Sequence, residues 1–219
     1  MIKAALFDLD GTLLNRDESV TRFIQHQYER LVKHVGHIPK DQYINRFIEL
    51  DQRGYVWKDR VYKQLVEEYS INSLSAEELL QDYVSEFKHY CVPFANVRAM
   101  LDELKRNNII VGMITNGYGS FQMANIRALG IEAFFEVIFV SEWEGMKKPD
   151  PRLFKKAIKR LGVQASECIF VGDHPLNDVK AAQQVGMKAI WKKDDQWEDV
   201  QADAVVHDLA DVAEVMKGL

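Results

Sequence analysis

The chain has 219 residues, 47% of them hydrophobic, and its 28 Lys and Arg stand against 33 Asp and Glu for a formal charge of -5. That length and apolar content suit one large domain, or a core carrying a smaller insert, and exclude a disordered chain. Lysines, arginines and acids are interspersed without a basic stripe, which argues against a nucleic-acid polymer as partner and leaves small acidic substrates open.

Residues 2 to 7 form an apolar run that reads as a buried strand, and it ends in Asp8-Leu9-Asp10-Gly11-Thr12. Buried parallel strands present functional groups at their carboxyl ends, where loops form a ligand crevice. If the strand continued, Asp8 and Asp10 would share a face and their charges would crowd. A divalent cation relieves such crowding, and magnesium suits an all-oxygen pair. One carboxylate then remains to act as a nucleophile toward phosphorus. Asp-Gly pairs also open ordinary turns, so this stretch alone leaves the simpler reading standing.

From Asn15 to Tyr90 the apolar spacing is helical. Val20, Phe23, Ile24, Leu31, Val32 and Val35 give way to Tyr43, Ile44, Phe47 and Ile48, then to Val61, Tyr62, Leu65, Val66 and Tyr69. Ser75 with Glu78 predicts a capping box before Leu79, Leu80, Tyr83, Val84 and Phe87. About four helices and no strand are expected, with a boundary at Cys91-Val92-Pro93-Phe94. Beyond it, strands predicted at Ile109 to Thr115, Val137 to Ser141, Cys168 to Val171, Met187 to Trp191 and, more weakly, Ala204 to Val206 alternate with helices. Asp150 followed by Pro151 marks one helix start and Gly162 its end. This alternation predicts an α/β fold, a doubly wound and mainly parallel sheet covered on both sides, with the all-helical segment inserted over its functional edge.

The later strand ends repeat the chemistry of the first. Thr115-Asn116-Gly117 offers a hydroxyl and an amide before a flexible turn, suited to donating to phosphate oxygens, although an ordinary helix cap has the same composition. Lys147-Lys148-Pro149 brings a lysine that can neutralise carboxylates and a transferring phosphoryl group; Lys148 is the candidate and Lys147 is expected to be solvated. Gly172-Asp173-His174-Pro175-Leu176-Asn177-Asp178 adds two acids. Asp173 is placed to ligate a metal, Asp178 to hold a metal-bound water or orient the lysine, and Asn177 or Asp178 alternatively to cap the next helix. His174 reads as structural or substrate-proximal, and not as a metal ligand.

With these motifs in order, the chain resembles the haloacid dehalogenase superfamily of phosphotransferases, subfamily I, across its whole length. The resemblance implies a Rossmann-like core over residues 1 to 15 and 91 to 219 and a type one helical cap over residues 16 to 90. It further implies that Asp8 attacks phosphorus and that Asp10 protonates the leaving oxygen and later deprotonates water. Thr115 and Lys148 would hold the phosphoryl oxygens with help from Asn116. Asp8, the backbone carbonyl of Asp10, and Asp173 would bind Mg2+, with Asp178 nearby.

Asp10 favours phosphate chemistry, since dehalogenases of the superfamily lack this acid. A magnesium-dependent hydrolase of a small phosphorylated metabolite is therefore expected. A sugar phosphomutase, a phosphonatase using Lys33, Lys40 or Lys58, and a non-catalytic binding module are the alternatives. Asp51 to Lys58 is the stretch expected to select substrate: Arg53 supplies a cation on a flexible joint, and Trp57 with Tyr55 offers rings for a base. Such rings suit a nucleoside monophosphate, and the chain resembles the nucleotidase-like or phosphoglycolate phosphatase-like branch. Trp57 and Tyr55 also fit a helix core, and Arg53 and Lys58 a solvated face. Cys91 and Cys168 are too few for a disulfide framework, no apolar stretch suits a signal peptide or a membrane span, and a cytoplasmic protein without membrane partners is expected.

Overall fold

A computed structural model describes residues 1–219, which divide into two compact units, 1–15 with 93–219 and 16–92. The first unit is built on six strands: β1 (Ala4–Phe7), β2 (Ile110–Thr115), β3 (Val137–Val140), β4 (Cys168–Gly172), β5 (Lys188–Lys192) and β6 (Ala204–Val206). They pair in parallel in the order β3-β2-β1-β4-β5-β6. The six predicted strands lie within two residues of these bounds, because each is a short apolar run bounded by turn residues.

β1 is central, with Phe7 level with Met113 of β2 on one side and Val171 of β4 on the other. The chain builds outward through β2 and β3, then returns to β1 and builds the other way through β4. The carboxyl end of β1 is thus the switch point, where loops diverge and leave a crevice. Every residue of β1 is buried, and its side chains alternate between the two faces of the sheet. Leu6 shares a buried cluster with Phe154, Phe170 and Trp191, and the amphipathic helix Pro151–Leu161 covers that face over β2 and β3. Helix Val97–Arg106 packs on β2 as well. Asp150 caps the Pro151 helix by accepting from the Arg152 N–H, and Gly162 ends it in a left-handed conformation, both as expected from sequence.

The second unit contains helices Arg16–Arg30, Lys40–Asp51, Lys58–Tyr69 and Ala76–Glu86, with a short turn at Val32–Val35. The capping box of Ser75 and Glu78 is formed in full. Phe23, Tyr62, Tyr83 and Phe87 make the core, with ring centroids of Phe23 and Tyr83 at 5.0 Å and of Tyr83 and Phe87 also at 5.0 Å. Buried Gln27 links the helices by accepting from the Tyr62 hydroxyl and donating to Asp82. Val32, Ile48 and Val84 fit the helical spacing yet are exposed, because each lies at the margin of its apolar stripe. No helix is long and apolar enough to cross a membrane.

Candidate active site

The backbone leaves β1 at Asp8, whose N–H still donates to the Val171 carbonyl, and then turns sharply through Gly11 at φ 83°. That turn separates the two acids of the first motif. The carboxylates crowding Asp8 are those of Asp173 and Asp178, and one oxygen from each of the three lies within 4.8 Å of the others. Asp10 instead points its Oδ2 at the Gln122 amide, 2.7 Å away. The expected crowding of Asp8 with Asp10 is therefore corrected: the strand stops at Phe7, so the period-two geometry does not reach them.

Lys148 lies among the acids. Its Nζ is 2.7 Å from Asp8 Oδ1 and 2.6 Å from Asp178 Oδ1, and the side chain is 2% exposed. Burial works to lower the lysine, but Asp178 and Asp8 overcome it and hold the ammonium charged, raised above its ordinary value. Burial pushes Asp8 well above the ordinary carboxylate range, Lys148 opposes, and the charges of Asp178 and Asp173 push further. Asp173 is pushed up to about 7, first by burial and then by Asp178, with Lys148 and the Thr12 hydroxyl opposing. With all three acids ionised, three carboxylates against one ammonium would leave a surplus of two negative charges.

That surplus, on hard oxygen donors, is the chemistry a divalent cation such as Mg2+ requires. The backbone is shaped for the close approach: a Cβ on Gly11 would fall 2.5 Å from Asp173 Oδ2. Asp8 and Asp173 fit the role of direct ligands. Asp178 is occupied otherwise, accepting from Lys148 Nζ with Oδ1 and from the His174 N–H with Oδ2. It is fully buried and serves to hold the lysine and the loop.

Thr115 ends β2 fully buried, and its Oγ1 accepts from Gln122 Nε2 at 2.8 Å. Asn116 follows it at the head of the next loop. Its carboxamide donates to the Lys148 carbonyl at 3.1 Å and accepts the Lys148 N–H at 2.9 Å, so it ties the lysine loop to β2. Lys147 is exposed, as expected. The next helical turn is capped neither by Asn177 nor by Asp178 but by His174, whose Nδ1 accepts from the N–H groups of Leu176 and Asn177. Burial lowers the imidazole, in keeping with a neutral acceptor.

In the helical unit, Gln52, Arg53 and Gly54 run consecutively at positive φ of 46°, 54° and 90°. Strain of this kind gathers at functional segments. Arg53 is exposed, and its guanidinium donates to Asp17. Trp57 is half-buried, edge-on to Tyr83 at 6.3 Å. Lys58 is not solvated as expected: it is 1% exposed, paired with buried Asp51, and its Nζ lies 5.2 Å from the centre of the Tyr83 ring. Its place at the first turn of one helix, facing the last residue of the preceding one, buries it. Asp51 also accepts from Arg16 at 2.7 and 3.0 Å.

Residues 5–192 match the model of the haloacid dehalogenase-like hydrolase family. A glyceraldehyde 3-phosphate phosphatase of Pyrococcus furiosus is 30% identical over 99% of this chain and 93% of its own. Among solved structures, an HAD phosphatase from Thermococcus onnurineus is 26% identical with a TM-score of 0.71, each chain 99% covered. A 2-haloacid dehalogenase from Pseudomonas syringae pv. Tomato DC3000 is 28% identical with a TM-score of 0.66, covering 100% of this chain and 99% of its own.

Proposed function

The chain belongs to the haloacid dehalogenase-like hydrolase family, and we propose that it is a magnesium-dependent phosphatase of small phosphomonoesters acting through a phosphoaspartate on Asp8. The observation that carries this reading is the separation of the two motif acids: Asp8 sits with Lys148, Asp173 and Asp178, while the carboxylate of Asp10 is held apart by Gln122. One acid can then be a nucleophile and the other a proton carrier.

Bound between Asp8 and Asp173, with the Asp10 carbonyl, the cation would neutralise the surplus charge and keep Asp8 ionised. Asp8 attacks phosphorus with a carboxylate oxygen; the bond from phosphorus to the ester oxygen breaks, and Asp10 gives that oxygen its proton. Water then attacks the phosphoaspartate, Asp10 takes the water's proton, and phosphate leaves with Asp8 restored. Lys148 and Thr115 hold the phosphoryl oxygens, and Lys148 balances charge that builds up on them.

The similarity to phosphatases, including the Pyrococcus furiosus glyceraldehyde 3-phosphate phosphatase, supports a small phosphate ester. Arg53 and Trp57 select the leaving group in this reading, with a nucleoside monophosphate among the candidates. Dehalogenation is the reading that the Pseudomonas syringae neighbour brings forward. A departing halide takes no proton, so it leaves Asp10 without its acid role. The test is phosphate release from nucleoside monophosphates, phosphoglycolate and sugar phosphates, with magnesium and with a chelator, alongside Asp8→Asn. Metal-dependent release that Asp8→Asn abolishes is expected; substantial residual hydrolysis by that variant would remove Asp8 as nucleophile.

A further inference from the structure

Gln122 lies on helix Gly119–Ala128, seven residues beyond Thr115, and is 2% exposed. Its Nε2 faces three acceptors: Asp10 Oδ2 at 2.7 Å, Thr115 Oγ1 at 2.8 Å and the Asn116 carbonyl at 3.2 Å. Only the nitrogen end of the amide suits that place, since an oxygen there would face a carboxylate and a carbonyl. The other end, Oε1, accepts from buried Asn125 at 3.4 Å. The approach also depends on Gly117, where an added Cβ would fall 2.9 Å from Gln122 Cγ and 3.1 Å from Nε2.

Two consequences follow at the reacting groups. The Asp10 carboxyl is half-exposed just before the turn through Gly11, and a buried donor fixes one of its oxygens so that the other is left for the substrate. The Thr115 hydroxyl, accepting from Gln122, directs its own proton elsewhere; its acceptor is the Asn116 carbonyl at a long 3.4 Å, easily exchanged for a phosphoryl oxygen. Building on the phosphatase reading above, we infer that Gln122 is a positioning residue that holds the Asp10 carboxyl in line for proton transfer to the leaving oxygen.

The test compares kcat/KM, which reports the phosphorylation step, for an alkyl phosphate and for p-nitrophenyl phosphate. The alkoxide must be protonated as it leaves, whereas nitrophenolate leaves without help. Gln122→Met keeps the side chain's bulk without a donor, and Gln122→Glu keeps its shape with acceptors only. Both are expected to lose about 10²-fold on the alkyl ester and about tenfold less than that on the nitrophenyl ester. Equal losses on the two esters, or none, would overturn the inference while leaving the phosphatase reading intact. A wild-type protein releasing phosphate from neither ester would overturn that reading and this inference together. Should both variants unfold, the side-chain amide resonances of Gln122 decide: Asp10→Ala is expected to shift them and hasten their exchange with solvent, and unmoved resonances would overturn the inference.

Discussion

Gly11 and Asp173 approach so closely that a Cβ on the glycine would fall 2.5 Å from Asp173 Oδ2. Gly11→Ala therefore meets two penalties, the clash and the positive φ of 83°. The backbone penalty alone is about 1–2 kcal/mol. Gly130→Ala, at φ 68° with nothing within 4 Å of the new carbon, carries only the backbone penalty and is the control. Both variants should lower the melting temperature by several degrees, but only Gly11→Ala should raise the magnesium concentration needed for half-maximal phosphate release. A parallel change in both would mean that Asp173 does not depend on the glycine.

Lys148→Met removes the cation shared by Asp8 and Asp178 while keeping much of the side chain's volume. Asp178 is fully buried and loses the cation it pairs with, and breaking a buried pair from one side costs about 3–5 kcal/mol. Activity should fall to background. Lys148→Met combined with Asp178→Asn should recover most of the stability, measured by urea unfolding, and none of the activity. Recovery of activity in the double variant would assign the lysine a structural role alone.

Magnesium should stabilise the protein more at high pH than at low. Asp173 stands at about 7 against an ordinary 3.8, so between these values the folded chain keeps a proton that the unfolded chain has released. The contribution of this group is full below the unfolded value and is lost as the pH rises through about 7. A cation competes with that proton and offsets the loss once the proton is gone. The rise in melting temperature between chelator and magnesium should accordingly be larger at about pH 8 than at about pH 5.5. An equal rise at both would show that the cation does not bind through Asp173.

The sheet and the acids at its edge were legible because they are written as contiguous patterns: an apolar run, then a carboxylate or a lysine beside a turn residue. Asp8, Asp173 and Lys148 each end or follow such a run and meet in space because the strands are parallel. What sequence missed is set by contacts between segments. Gln122 and Asn125 stand among Met123 and Ile126 on the buried face of one helix, and polar residues at apolar positions are the signal that marks them. The spatial separation of Asp8 from Asp10 was misread as crowding, since it depends on where β1 stops; their different roles came with the family resemblance. Lys58 and Asp51 belong to different helices, and their seven-residue spacing crosses three left-handed residues whose path no periodicity describes.

The same pair supplies a test within the helical unit. Lys58 and Asp51 have side chains 2% and 3% exposed, and Arg16, at 13%, shares the carboxylate. Asp51→Asn keeps the shape but leaves two buried or nearly buried cations facing a neutral amide, for a cost of about 3–5 kcal/mol. Lys58→Met alone leaves Asp51 paired with Arg16 and should cost less. In the double variant Asp51→Asn with Lys58→Met, the remaining mismatch is Arg16 alone, so the loss should be smaller than the sum of the single losses, with a coupling of about 1 kcal/mol or more by urea unfolding. Strict additivity would mean that water reaches Lys58 and screens the pair.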